Sequence, residues 1–481
     1  MQDSLFDWTT YGKIMILIGL LVLAPLGVLP FFPEDSIYLA AFLLPGLVSC
    51  LLGAGLTFLP KTNTWKSARS FFLRQSCLTV LFAWLWGVFL GAIPFVLGAH
   101  LSFVQSIFEA MSGWTTTGLS VMDVSKTAKI FLFHRSFMQY CGGLGFIMII
   151  VMLSPGKKAM NLYSAEGHPD KLMPNLTTTA QTIFSMYGAF LVAGVIAYRL
   201  VGMNVFEGIC HAMCALSTGG FSTRLDSIGA YKSFPIEVVT ILLMVIGTTN
   251  FAALSLLTKR KWQQFFQVSE VKFMFLLLAV FVPLTGWSLA NGLHMPITEA
   301  MRRALFDLVS ALSTTGYSSM SYTSWPSFAK GVLILIMLIG GGIGSTAGGI
   351  KMARVYLLLR LAWYTLKKKL SLAPYVEAPF YYRAQGKTPI TSTLWEETGG
   401  FVILYLLIFL AGSLLLTLTA ACNLTEAMFE FASALGTVGL SIGLTGPTTG
   451  NGTLLVETVG MLLGRLEIYI VLVALTSFRY K

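Results

Sequence analysis

Apolar runs separated by short polar breaks fill this chain, and the runs come in two lengths. About ten reach or approach the roughly 20 residues that a helix needs to cross a bilayer: 14–29, 37–59, 71–97, 131–153, 182–201, 238–257, 273–293, 332–350, 401–421 and 454–476. Four shorter segments lie between long ones, at 102–114, 204–216, 297–312 and 423–435. A dozen helical residues rise only about 18 Å. Each short segment is therefore predicted to enter the membrane from one side and turn back as a re-entrant half-helix. Irregular backbone at that depth survives only where it is buried in protein or lines a wet cavity.

Every short segment ends in the same six-residue signature: Thr115-Thr-Thr-Gly-Leu-Ser120, Ser217-Thr-Gly-Gly-Phe-Ser222, Ser313-Thr-Thr-Gly-Tyr-Ser318 and Gly436-Thr-Val-Gly-Leu-Ser441. The copies lie roughly a hundred residues apart, a period that points to internal repetition. Counting back from them, Phe108, Cys210, Phe306 and Phe429 align, then Glu109, His211, Asp307 and Glu430, then Ser112, Cys214, Ser310 and Ser433. The predicted fold is an all-α polytopic membrane protein, with four pseudo-symmetric helix–pore-loop–helix repeats around one central pore. An N-terminal two-helix hairpin, joined through Pro30 to Asp35, matches nothing later. The expected divisions are 1–60 for the hairpin, then repeats at 61–160, 161–265, 266–390 and 391–481.

Glycine-centred turns that meet on one axis can present a ring of backbone carbonyl oxygens, which replaces the water around a monovalent cation. Gly118, Gly220, Gly316 and Gly439 permit backbone angles that other residues resist. The half-helices run towards the signatures and aim their partly negative C-terminal ends at the same place. The aligned Glu109, Asp307 and Glu430 are expected to bond backbone or wall groups rather than ions. Ser/Thr/Gly clusters also occur where membrane helices merely pack closely, but four aligned copies favour a pore.

Composition agrees with a lipid solvent. Only 11% of residues are charged and 55% are hydrophobic, with mean hydropathy +0.75; soluble domains carry about 25% charge. The first apolar run follows Asp3 and Asp7, has no clear cleavage site after it, and is expected to stay in the chain. The net charge of +11 gathers in basic clusters at 61–74, 157–158, 259–261, 351–369 and 479–481. All fit one cytoplasmic face, so the charge follows topology rather than nucleic-acid binding. The connection 354–397 reads as a cytoplasmic amphipathic segment. The six cysteines fall in or beside apolar runs as small hydrophobes. Cys210-His211-Ala-Met-Cys214 lacks the order of a haem attachment site and lies on a half-helix. No catalytic motif is found, so the chain is not expected to be an enzyme.

At its signatures the chain resembles the Trk/Ktr/HKT superfamily of potassium transporters, over nearly its whole length, and most of all the bacterial TrkH/TrkG branch with its extra hairpin. The resemblance implies a selectivity filter of Thr115, Thr116, Thr117 and Gly118; Ser217, Thr218, Gly219 and Gly220; Ser313, Thr314, Thr315 and Gly316; and Gly436, Thr437, Val438 and Gly439. The fourth copy departs from the others at its first and third places. Gly340 to Lys351 resembles the family's intramembrane loop, which interrupts the second helix of the third repeat. Gly464-Arg465-Leu-Glu467-Ile resembles the last helix, whose arginine projects into the pore. The implied gate is Gly340, Gly341, Gly342, Gly344, Ser345, Thr346, Ala347, Gly348, Gly349 and Arg465. A structural alternative for Arg465, near the middle of its predicted span, is a salt bridge to Glu467. The family further implies potassium as the transported ion with no cofactor in the chain, a homodimer, and a cytosolic TrkA-like nucleotide-binding partner at the bacterial cytoplasmic membrane. A cation-coupled symporter and a channel-like subunit of an ATP-driven pump are the alternatives.

Overall fold

The computed structural model describes residues 8–59, 69–145, 176–371 and 379–477. The basic positions 157–158 and 479–481, most of the cluster 61–74 and the end of the 131–153 run lie outside them. Two helices, α1 (Trp8–Leu23) and α2 (Leu39–Thr57), form the N-terminal hairpin. Small residues set their spacing: Gly12 faces the Gly53 carbonyl and Gly19 faces that of Gly46, where any Cβ would collide. Close approach through small residues is how helices gain packing energy in lipid. The buried Asp35 carboxylate accepts the Ile130 N–H at 2.8 Å and ties the hairpin to the first repeat.

Four units follow, each with a long helix, a half-helix and a second long segment. The first has α3 (Arg69–Leu97), α4 (Phe103–Trp114) and α5 (Lys129–Leu144). The second has α6 (Leu176–Leu200), α7 (Val205–Leu216), α8 (Phe234–Thr248) and α9 (Phe251–Thr258). After the short α10 (Trp262–Gln267), the third has α11 (Ser269–Leu293), α12 (Ile297–Leu312) and α13 (Ser327–Leu338). The fourth has α15 (Ser392–Thr419), α16 (Leu424–Gly436), α17 (Asn451–Arg465) and α18 (Ile468–Thr476), after α14 (Met352–Leu370). Three of the four half-helix starts follow local cap chemistry. Ser102 and Asn423 form capping boxes with Gln105 and Glu426, and Asn204 accepts the Phe206 N–H.

Three expected spans are not continuous helices. The run 238–257 bends by 115° between α8 and α9, and 454–476 bends by 101° between α17 and α18. The run 332–350 stops at Leu338 and becomes a closed loop. Among the described residues, six helices are long and apolar enough to cross a membrane, or eight with each bent pair as one span. Each break has a local cause. Asn250 caps α9 by accepting the Ala252 N–H, Glu467 takes a left-handed φ of 51°, and Gly340-Gly-Gly342 follows Leu338.

The broken backbones satisfy one another. Gly342 and Thr346 donate to Thr248 and Gly247 carbonyls at 2.9 and 3.3 Å, and the Phe251 N–H reaches Gly344 O at 3.4 Å. Exposed peptide groups in lipid would cost several kcal/mol each, so the breaks must lie together. Two-residue strands β1 (Ile339–Gly340) and β2 (Ile350–Lys351) pair in parallel and close the neck of the loop. The segment 354–397 also differs from the expected single amphipathic stretch. It holds most of α14, a β-hairpin of β3 (Phe380–Arg383) and β4 (Gly386–Pro389), and the start of α15. Lys367, Lys368 and Lys369 end α14, where cations favour the helix dipole.

Candidate functional site: four converging turns

Each half-helix ends in the same left-handed cap. The second signature residue is a threonine with positive φ: 56° at Thr116, 53° at Thr218, 55° at Thr314 and 51° at Thr437. The third residue then donates back to the aligned small-residue ring: Thr117 to Ser112 O, Gly219 to Cys214 O, Thr315 to Ser310 O and Val438 to Ser433 O, at 2.8–3.0 Å. The threonine itself donates three residues back in every copy. This paired pattern is a Schellman cap, which usually places glycine at the left-handed position. A β-branched residue there costs about 1–2 kcal/mol, a strain that persists where surrounding structure over-determines it.

The fourth residues, Gly118, Gly220, Gly316 and Gly439, have φ of 97°, 74°, 83° and 96°. A Cβ on Gly118 would strike Gly219 O, on Gly220 Thr315 O, on Gly316 Val438 O, and on Gly439 Thr117 O. The contacts run from repeat one to two, three, four and back to one. The ring is closed. All four glycines also line a single cavity of about 990 Å³, together with Ser120, Ser222, Ser318 and Ser441. The signatures therefore meet at one shared centre beneath a mouth.

Behind the ring, the aligned polar residues brace the outgoing chain. Glu109 accepts from Ser120 Oγ at 2.9 Å and Val121 N at 3.0 Å. His211 Nε2 meets Ser222 Oγ at 3.0 Å, and its Nδ1 meets Glu207 O at 2.8 Å. Glu430 accepts from Ser441 Oγ at 2.6 Å and Ile442 N at 3.0 Å. In the third repeat Asp307, one methylene shorter than Glu, accepts from Ser319 N at 3.0 Å, the place of Val121 and Ile442, but its hydroxyl partner moves by one residue, to Ser319 Oγ at 2.6 Å rather than Ser318. Sequence reading missed Arg135, which is buried, pairs with Glu109 at 2.6 Å and lies 4.0 Å from the Phe221 ring. A lone arginine inside the 131–153 apolar run was its available signal.

Three arginines at the mouth are held in ion pairs. Arg224 meets Glu207, Arg302 meets Glu237 and Arg303 meets Glu299, each at 2.7 Å. The Ser125 hydroxyl and N–H, with Lys126, hold the exposed Asp123 carboxyl below its ordinary range. Burial, aided by Glu207, pushes the Tyr231 phenol up to about 12.

On the opposite side, the closed loop lies against the threonines. Thr346 Oγ1 is 3.2 Å from Thr218 Oγ1, and Gly348 N donates to Thr314 Oγ1 at 3.0 Å. A Cβ on Gly348 would strike Thr437 Oγ1. Three of the four left-handed threonines thus touch the loop directly. Arg465 is the last residue of α17, at a break rather than in mid-helix. Its guanidinium donates to Thr346 O at 2.6 Å and to Gly142 and Gly143 O at 2.6 and 3.1 Å. The expected alternative partner, Glu467, accepts from Arg354 at 2.8 Å.

A pseudo-fourfold ring of re-entrant turns, framed by membrane-length helices and closed below by a loop, defines a multi-pass membrane transport protein. The chain belongs to the TrkH family of cation transport proteins, whose model matches residues 40–478. It is 28% identical to the Trk system potassium uptake protein TrkG of Escherichia coli K12, over 98% of this chain and 97% of that protein. It is 30% identical to the Trk system potassium uptake protein TrkH of Vibrio parahaemolyticus, over 84% of this chain and 85% of that one. The crystal structure of the potassium transporter TrkH from Vibrio parahaemolyticus superposes with a TM-score of 0.85, at 25% identity, covering 99% of this chain and all of that chain.

Proposed function

We propose that this protein is a potassium-uptake subunit, a passive pore driven by membrane potential and gated from the cytoplasmic side. The observation that carries this reading is the closed ring in which every signature glycine abuts the next repeat's carbonyl. An ion leaving the wet mouth exchanges its hydration shell for main-chain oxygens of residues 115–118, 217–220, 313–316 and 436–439. The four half-helix C-termini favour a cation there. Glycine at every fourth place leaves no side chain in the path.

The loop 340–349 and Arg465 form the gate of this reading. The loop side bears Lys259–Lys261 and Lys367–Lys369, which the positive-inside rule assigns to the cytoplasm. Arg465 bonds the loop to α5 across the axis, and its charge repels a passing cation. Opening then requires those charge-assisted bonds, worth about 1.5–3 kcal/mol each, to be exchanged for others. Family resemblance supports a homodimer with one pore per protomer and a TrkA-like nucleotide-binding partner that moves the loop.

The test is ⁸⁶Rb⁺ uptake into liposomes that hold this chain alone, competed with K⁺ or Na⁺. Entry blocked by potassium and indifferent to sodium is expected, without any coupling ion. A requirement for Na⁺ or a proton gradient would replace the passive pore with a symporter. No flux without an ATPase would point to a pump subunit.

A further inference from the structure

The four turns share one backbone geometry, and at their third place Thr117, Thr315 and Val438 are matched by Gly219. In the first and third turns the threonine hydroxyl bonds the first residue: Thr117 Oγ1 lies 2.8 Å from Thr115 Oγ1, and Thr315 Oγ1 2.7 Å from Ser313 Oγ. Val438 is fully buried. The second turn has two consecutive glycines and no such brace of its own. Gly219 does not have the positive φ of the signature glycines, so its backbone tolerates a side chain. The space is what is taken. A Cβ there would strike Cδ and Oε1 of Gln139, and would lie 2.9 Å from its Cβ.

Gln139 belongs to α5 of the first repeat and is completely buried. Its Nε2 donates to Gly219 O, and its Oε1 accepts the Phe221 N–H at 3.1 Å. A donor on one side and an acceptor on the other fix the amide in one orientation. The two bonds straddle Gly220, the signature glycine, and Gly219 O is the oxygen that faces Gly118. One side chain thus fills the missing third position, clamps the glycine pair, and fixes the seam between the first and second turns.

We propose that Gln139 is a positioning residue for ion selectivity, standing in for the third side chain of the second signature. This rests on the pore reading above. Without the clamp, the Gly219–Gly220 segment regains the freedom of a glycine pair, and the ring fits the smaller sodium ion as readily. The amide also occupies one lone pair of Gly219 O, so the ring is electrostatically uneven as well as braced.

The experiment measures Na⁺ against ⁸⁶Rb⁺ entry in liposomes for four variants beside the unaltered protein. Gln139→Leu keeps the volume and removes both hydrogen bonds; Gln139→Gly removes the side chain. Either is expected to raise the Na⁺/Rb⁺ entry ratio roughly tenfold, the effect of two lost hydrogen bonds. Gly219→Thr alone collides with Gln139 and is expected to raise the ratio too. Gln139→Gly combined with Gly219→Thr gives the second turn the arrangement of the first and third, and is expected to bring the ratio back towards that of the unaltered protein. Both Gln139 variants discriminating normally would overturn the proposal, as would a double variant no better than its worse parent. If the unaltered protein itself fails to prefer rubidium, the pore reading falls first and this inference goes with it.

Discussion

A threonine forced into left-handed backbone four times is the residue-scale signature of this protein, because glycine would hold the same cap without strain. The hydroxyl offers a reason. In Thr218 and Thr314 it meets the loop, and Thr116 and Thr218 donate theirs to the preceding carbonyl, Thr115 O at 2.6 Å and Ser217 O at 2.7 Å. The glycines two residues on are constrained differently, by both φ and space. Gly316→Ser would push a side chain into Val438 O and within 2.8 Å of Gly439 Cα. Its expected outcome is sodium entry, with Rb⁺/Na⁺ discrimination falling roughly tenfold for each 1.4 kcal/mol lost. Competition of ⁸⁶Rb⁺ uptake by Na⁺ checks this, and an unaltered ratio would count against the ring as filter.

At the scale of elements, the second segments of repeats two, three and four all break beneath the turns; the freed peptide groups of repeats two and three bond one another, and the break of repeat four joins them through a side chain. Arg465 sits at one such break and grips the loop from another. Arg465→Ala is expected to raise basal ⁸⁶Rb⁺ flux several-fold in the absence of any partner protein, since about 1.5–3 kcal/mol per charge-assisted bond is removed from the closed arrangement. Flux equal to that of the unaltered protein would take Arg465 out of the gate. The N-terminal hairpin makes a separate demand. Gly19→Leu would force α1 from α2 at the Gly46 contact, and overpacking typically costs 1–3 kcal/mol. A lower thermal midpoint in detergent is the expected result; an unshifted midpoint would show that the two helices part without cost.

Across the whole molecule, the four repeats differ in just the ways that make a single chain more than a symmetric ring. Glu237 and Arg302 link repeats two and three through two hydrogen bonds of 2.7 and 2.8 Å, while Gln139 links one and two. The repeat period, the half-helices and the signature glycines were all legible, since each depends on residues close in sequence. Helix continuity was not: Thr248, Thr249 and Asn250 in 238–257, and Arg465 and Glu467 in 454–476, are brief polar interruptions of long apolar runs, so mean hydropathy still reads each as a single span. Arg465 was legible as a buried charge, but the choice of carbonyls over Glu467 depended on where the breaks fell.

The amino-acid order alone determined that this protein is a fourfold repeat in a membrane, where its half-helices stop, and which glycines must face inward, because spacing and turn chemistry act over a few neighbouring residues. Only tertiary structure decided that the turns close into a ring, that Gln139 serves a turn 80 residues away, and that Arg465 bridges to Gly142 across 323 positions. Such contacts follow from how packed helices meet, and nothing local in either partner encodes the other.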